Sequence, residues 1–377
     1  MAIEYIEIRN KEQRELIGII DAAKSIIWHS VYYGVGDFEI YAIASERHLQ
    51  LLQIGNYVTR PDDIEVGVIE SVQITNNEQD GLMIVASGRF AKSILDRRHI
   101  YQLSGHTNTA TILQGNVEQN IRNLVSANAI NCTFDTRRNI AILKLGDLAN
   151  IPKIIVDEQG QPTQKQVSYE NLLEYSDKVL EEYELGATVM LDDDTKELKY
   201  FVYEGTDRSV DNVQDINPVI FSYEYDNLTE TNYQFNEAGK KTSALIGGEG
   251  EGLDRFYSIV HGTSTGLDRR ETWVDASSIN KKYKDDQDVE REYTDAQYKA
   301  MLDAQGKQEL ATLIPIETFD GTLNVTGGVW RLNEHYMLGD IVTVEDKNIN
   351  KFANVRIVET TEAQDENGYS VDIAYRS

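Results

Sequence analysis

The chain has 377 residues, 63 acidic against 36 basic, for a formal net charge of −27; this length accommodates two or three domains with self-sufficient cores. At 41% hydrophobic and 26% charged it reads as a folded chain, and the acid excess argues against a general polyanion binder, whose affinity comes from Lys and Arg displacing counterions. No run approaches the ~18 apolar residues of a membrane span, the acidic opening MAIEYIEIRNKEQREL lacks the pattern of a secretory signal, and the single Cys132 rules out an internal disulfide.

The first third is predicted to be mostly strand. Asp37–Ser45 opens it, and EVGVIESVQIT places Val66, Val68, Val72 and Ile74 on one face at period two. The turn cluster NNEQDG leads into LMIVASG, giving a hairpin. The stretch GRFAKSILDRRHI follows, with Phe90, Ile94 and Leu95 at helical spacing and Arg97, Arg98 and His99 in a last turn where the helix dipole favours positive charge. This basic cluster is read as a helix end paired with acids, not as a nucleic-acid contact, because no second basic patch extends it along the sequence.

A helix is predicted over GNVEQNIRNLVSA, with Asn116 as cap, Gln119 answering it, and a buried stripe of Val117, Ile121, Leu124 and Val125. Another covers SYENLLEYSDKVLEEYELG with Ser168 as cap, followed by a hairpin turning through Asp192–Asp194. Strand character returns at NPVIFSYEYDNLTETNYQF. A glycine-rich loop (ALIGGEGEGLDRFYS), a charged loop (DASSINKKYKDDQDVERE) and a helix capped by Thr294 with Gln297 come next. From Leu313 onward the chain is strand, and SVDIAYR puts Val371, Ile373 and Tyr375 on one face. The resulting expectation is an α+β, mainly β chain with β-barrels or sandwiches flanking a central α+β region. Its boundaries are 1–88, 89–215 and 216–377, the last carrying an inserted segment at about 246–311.

Few stretches invite chemistry. GGEGEG would aim Glu249 and Glu251 at a phosphate, and EDKNINK lacks the glycine and the bidentate acid of a calcium loop, so both read as turns. There is no nucleophile elbow and no zincin helix, and the six histidines (29, 48, 99, 106, 261 and 335) are dispersed. Cys132 reads as a buried thiol. No catalytic residue, metal ligand or cofactor is assigned. The abundance of acids leaves a carboxylate-pair hydrolase open, and Trp28, Trp273 and Trp330 leave a carbohydrate-binding module open.

The order of the segments resembles the siphophage tail-hub (Gp37-like) family and the N-terminal hub domain of tail-associated lysins. The resemblance rests on GDFEIYAIASERHLQLLQIGNYVTRPDD, VIESVQITNNEQDGLMIVASGRFAKSILDRRHI and WRLNEHYMLGDIVTVED. Its landmarks are Gly88-Arg89 at a strand end, Ile94-Leu95-Asp96-Arg97-Arg98, and Tyr336-Met337-Leu338-Gly339-Asp340. It implies a phage baseplate-hub-like fold and a homotrimeric ring of two β-barrels per subunit at the tail tip of the virion, assembled in the host cytoplasm. Its implied partners are the distal tail protein, the tape-measure protein, and a fibre, spike or receptor-binding component. DNA would pass through the ring without specific binding. Arg89, Arg97, Arg98, Tyr336 and Asp340 are the expected interdomain or interface residues. The end at Ser377 sets the expectation that a lytic or receptor-binding extension is missing or encoded separately.

Overall fold

Alternation of apolar and polar residues along Gly368–Arg376 buries Val371, Ile373 and Tyr375 on one face, as period two requires. That strand pairs with the fifteen-residue strand Lys351–Asp365, which pairs on its other side with Ser25–Val31. The sheet continues through Asp37–Ile43 and Gly81–Arg89 to Ser71–Asn77. Among the described residues it has ten strands, with Ile341–Asp346 branching from Lys351–Asp365 and Ile220–Ser222 pairing in parallel with Ile341–Asp346. These relationships come from a computed structural model, which describes every residue except 1–2, 78–80, 102–110, 158–159, 226–229, 285–288, 324–328 and 377. The centre of the NNEQDG turn, His106, the middle of the charged loop and the DNLT part of the returning strand segment thus lie outside the described residues.

The chain forms two units, Met1–Asn232 with Phe319–Ser377, and Tyr233–Thr318. In the first, the strands Leu16–Ile20, Ile6–Arg9, Tyr57–Thr59 and Val66–Val68 make a four-stranded sheet. Its core contains Ile6, Ile8, Ile20, Trp28 and Phe38, with Phe90 packed 4.8 Å from the Trp28 ring. A second core joins the segment after Arg89 to helices α2 (Val117–Val125) and α3 (Leu172–Glu182) and to the hairpin Gly186–Leu191/Leu198–Tyr203. Helix α1 is the short Glu46–Leu51, capped by Ser45.

The second unit is a three-stranded sheet, Tyr257–His261, Ser243–Gly247 and Glu271–Asp275, with Tyr298 and Leu302 of helix α4 (Asp295–Thr312) in its core beside Ala244 and Ile246. Thr294 and Gln297 close the expected capping box. The charged loop contains a short pair, Lys282–Lys284 with Glu290–Glu292.

The mainly β class stands, but the expected closed barrels do not: among the described residues every sheet is open. Both ends of the chain contribute to one sheet, because Lys351–Asp365 pairs with Ser25–Val31. Alternation specifies which face is buried; closure also needs matched strand number, tilt and stagger, which a sequence pattern does not carry. The run Val66–Ile74 also divides, with Val66–Val68 in one sheet and Ser71–Asn77 in another. Ile69 and Glu70 make the crossing: Ile69 N–H donates to Asn56 O, and Glu70 N–H to Ser87 O. The expected Arg89–Arg98 helix is a seven-residue 3-10 segment, Ala91–Arg97. Asn171, not Ser168, caps α3 by accepting from the N–H groups of Leu173 and Glu174.

Candidate functional site

Gly88 lies against the strand-crossing backbone, where an added Cβ would fall 1.9 Å from Val68 O, so only glycine fits. Arg89 then turns back on the same crossing. Its Nε and Nη2 bind both oxygens of Glu70, at 2.9 and 3.1 Å, and its Nη1 binds Asp96 at 3.1 Å. The bond to Glu70 holds the guanidinium charged, and Arg89 in turn lowers the Glu70 carboxyl. One turn on, the buried Lys92 reaches Asp177 of α3 at 3.0 Å. Asn171, the α3 cap, donates to the Asp96 backbone and carboxylate, both at 2.9 Å. The basic segment therefore ties the main sheet to the helical core through acids of this same chain.

Arg97 and Arg98 differ from Arg89. Arg97 is half exposed and only grazes Glu70, at 3.8 Å. Arg98 donates to the carbonyls of Arg138 (2.8 Å) and Arg97 (2.9 Å). Burial and the neighbouring Arg138 and Arg97 lower its pKa. Arg138 returns a bond to His99 O. A basic partner for the cluster therefore exists, and it comes from forty residues further along the chain.

Tyr336 and Asp340 belong to a second junction. Asp340 is buried and accepts from Thr206 N–H at 2.7 Å, Arg208 Nε at 2.8 Å and Met337 N–H at 3.0 Å. Gly339 takes φ +93°, and its carbonyl accepts from the buried Arg356 at 2.7 Å. Tyr32 fills the remaining space: its hydroxyl accepts from Gly205 N–H at 3.2 Å and lies 3.3 Å from Glu184 O. The N-terminal strands, the segment after the central hairpin and the C-terminal strands thus meet around Tyr32, Gly205 and Gly339. Tyr336 is core, packed edge-on against Phe221 at 5.2 Å, and burial raises its hydroxyl far above the usual range.

Pattern reading missed a buried long-range ion pair. Arg60 binds both oxygens of Glu362, at 2.8 and 3.1 Å, as well as Asp62, and lies over Trp28 at 5.3 Å. Burial would lower the Arg60 pKa, but the bonds to Asp62 and attraction to Glu362 raise it. Only the PDD that follows Arg60 hinted at a partner.

A recess of 440 Å³ opens nearby, lined by Asp62, Asp63, Glu65, Tyr203 and Asn333 among others. Burial pushes Asp63 up to about 6 against the pull of Arg60, and burial together with Asp63 pushes Glu65 up to about 8. Of the tryptophans, Trp28 is wholly buried, Trp330 donates its indole N–H to Ile220 O at 2.8 Å, and Trp273 is half exposed beside Arg255. The Gly247–Gly252 stretch is a closed turn, with Arg255 donating to the carbonyls of Gly248 and Gly247. EDKNINK is the hairpin turn between Ile341–Asp346 and Lys351–Asp365.

No curated protein matches the chain. Among solved structures, the 43 kDa tail protein of prophage MuSo2 from Shewanella oneidensis superposes with TM-score 0.57 at 14% identity, covering 99% of this chain and 98% of that one. The tail protein from Neisseria meningitidis MC58 gives TM-score 0.56 at 13% identity, covering 99% and 96%. At these identities the likeness is one of fold. The family model described as Siphovirus ReqiPepy6 Gp37-like protein matches residues 5–374, and the chain accordingly belongs to this family.

Proposed function

We propose that this chain is a structural, non-enzymatic component of the tail tip, three copies of which form a hub ring on the tail axis. The ring joins the sixfold tail, through the distal tail protein, to threefold fibre or spike components. Support comes from the family match over nearly the whole chain, the shared fold with tail proteins of similar length, and above all the way the chain's ends are joined. The N- and C-terminal strands share one sheet pinned by Arg60–Glu362, and Asp340 ties the segment after the central hairpin to the C-terminal part, which suits a part that transmits load without changing shape. On this reading Arg89, Tyr336 and Asp340 stiffen the subunit from within. Arg97 and Arg98 are left for contacts between parts. Native mass spectrometry of isolated tail tips tests the reading: three copies per tip are expected, and six copies, or absence from the tip, would refute it.

A further inference from the structure

The recess beside Arg98 is basic in an otherwise strongly acidic chain. It is open, with a volume of 530 Å³, and is lined by Arg97, Arg98, His99, Asp135, Arg137 and Arg138. Asp135 is its one acid and is occupied, since Arg137 grips both its oxygens at 2.8 and 2.9 Å. Arg98 and Arg138 donate to backbone carbonyls and meet no carboxylate among the described residues. Three exposed aromatic rings adjoin it. Tyr101 stacks on Phe134 at 4.3 Å, Tyr169 sits edge-on to Tyr101 at 6.2 Å, and Arg138 lies 5.5 Å from the Tyr101 ring. Arginine and aromatic residues are the ones most enriched where protein surfaces bind each other tightly.

We infer that this basic, aromatic-rimmed recess is a docking site for an acidic surface on a second copy of the same chain. Charge selects the occupant. A chain with 63 acidic residues offers every neighbour carboxylates that an arginine fork can grip two-pronged, although two chains at −27 repel each other at long range, as either would repel a phosphate strand. At physiological salt, screening over roughly 8 Å leaves the local arginines to decide the short-range contact. A recess that meets a different surface on its neighbour makes a head-to-tail contact, the kind that closes rings. The inference deepens the ring reading by naming one of its contacts.

Sedimentation velocity of the full-length chain tests it, comparing wild type with the double variant Arg97→Glu/Arg137→Glu. Both side chains are exposed, at 54% and 89%; Arg97 only grazes Glu70 and Arg137 pairs with the nearby Asp135, so the fold should survive, and an unchanged melting temperature checks this. Wild type should self-associate at physiological salt, where the repulsion between copies is screened, and the variant should associate at least about tenfold more weakly. A wild type that stays monomeric at physiological salt at ~100 µM, or a variant that associates like wild type, overturns the inference. So does binding of fluorescein-labelled single-stranded DNA that the variant loses while its self-association is unchanged. A trimer unaffected by the double substitution would leave the ring reading in place. Absence of the chain from the tail tip would sink that reading without touching salt-dependent self-docking.

Discussion

Arg60 and Glu362, 302 positions apart, form a buried two-pronged ion pair that fastens the N-terminal part of the main unit to its longest strand. Tyr369 adds a hydroxyl bond to Glu362, and Trp28 lies under the guanidinium. A buried pair is costly to break from one side, because the survivor keeps its charge without a partner. Arg60→Met should therefore destabilise the protein by about 3–5 kcal/mol, whereas Arg60→Met/Glu362→Met should recover much of that loss. Urea denaturation of both variants measures it, and additive losses would show that the two side chains do not act as a pair.

Asp340 is expected to matter through its three donors rather than through its ion pair alone. Asp340→Asn keeps the shape but removes the charge that holds Arg208 and replaces one acceptor with a donor facing an N–H. It should cost about 2–3 kcal/mol. Arg208→Met should cost less than about 1 kcal/mol, because Arg208 is partly in solvent and its loss leaves two backbone donors on the carboxylate. Equal losses in the two variants would contradict this ranking.

Backbone approach at the same junction gives a sharper test. A Cβ at Gly205 would fall 1.8 Å from Gly339 O, and one at Gly339 would fall 2.3 Å from the Tyr32 ring at φ +93°. Either change to alanine should cost more than about 4 kcal/mol or abolish soluble expression. Gly115→Ala, with open space around it, should cost only about 1–2 kcal/mol.

The Glu65 recess makes stability depend on pH. Its carboxyl sits near 8 in the folded chain against an ordinary 4.5, raised by burial and Asp63. Such a group favours the folded state fully below its unfolded value, and the contribution is lost as pH rises toward 8. Glu65→Gln should flatten the fall in melting temperature between about pH 4.5 and 8 and raise stability at pH 8 by on the order of 2 kcal/mol. An unchanged pH profile in thermal melts would reject the assignment.

Local chemistry was the legible part of this sequence. The Thr294–Gln297 capping box and the Val371–Ile373–Tyr375 stripe lie as read, and Asn116 caps α2 as expected. Gln119, however, turns its side chain to Asn123 instead of back to the cap. What sequence pattern could not convey was the meeting of distant segments. Arg137 and Arg138 stand about forty residues from Arg97 and Arg98, so no window along the chain displays the four as one patch. The same holds for Asp340 with Thr206 and for the sheet shared by both ends. The Ile69–Glu70 crossing broke a regular alternation because Ile69 donates to Asn56, just before the strand Tyr57–Thr59, and Glu70 donates to Ser87 in the main sheet.

Cryo-electron microscopy of the intact tail tip distinguishes the proposed axial ring from any other placement of this chain. Three copies should encircle the tail axis, each with its Arg97–Arg138 recess against carboxylates of its neighbour. Density placing the chain off the axis, or in six copies with the recess facing solvent, would contradict it.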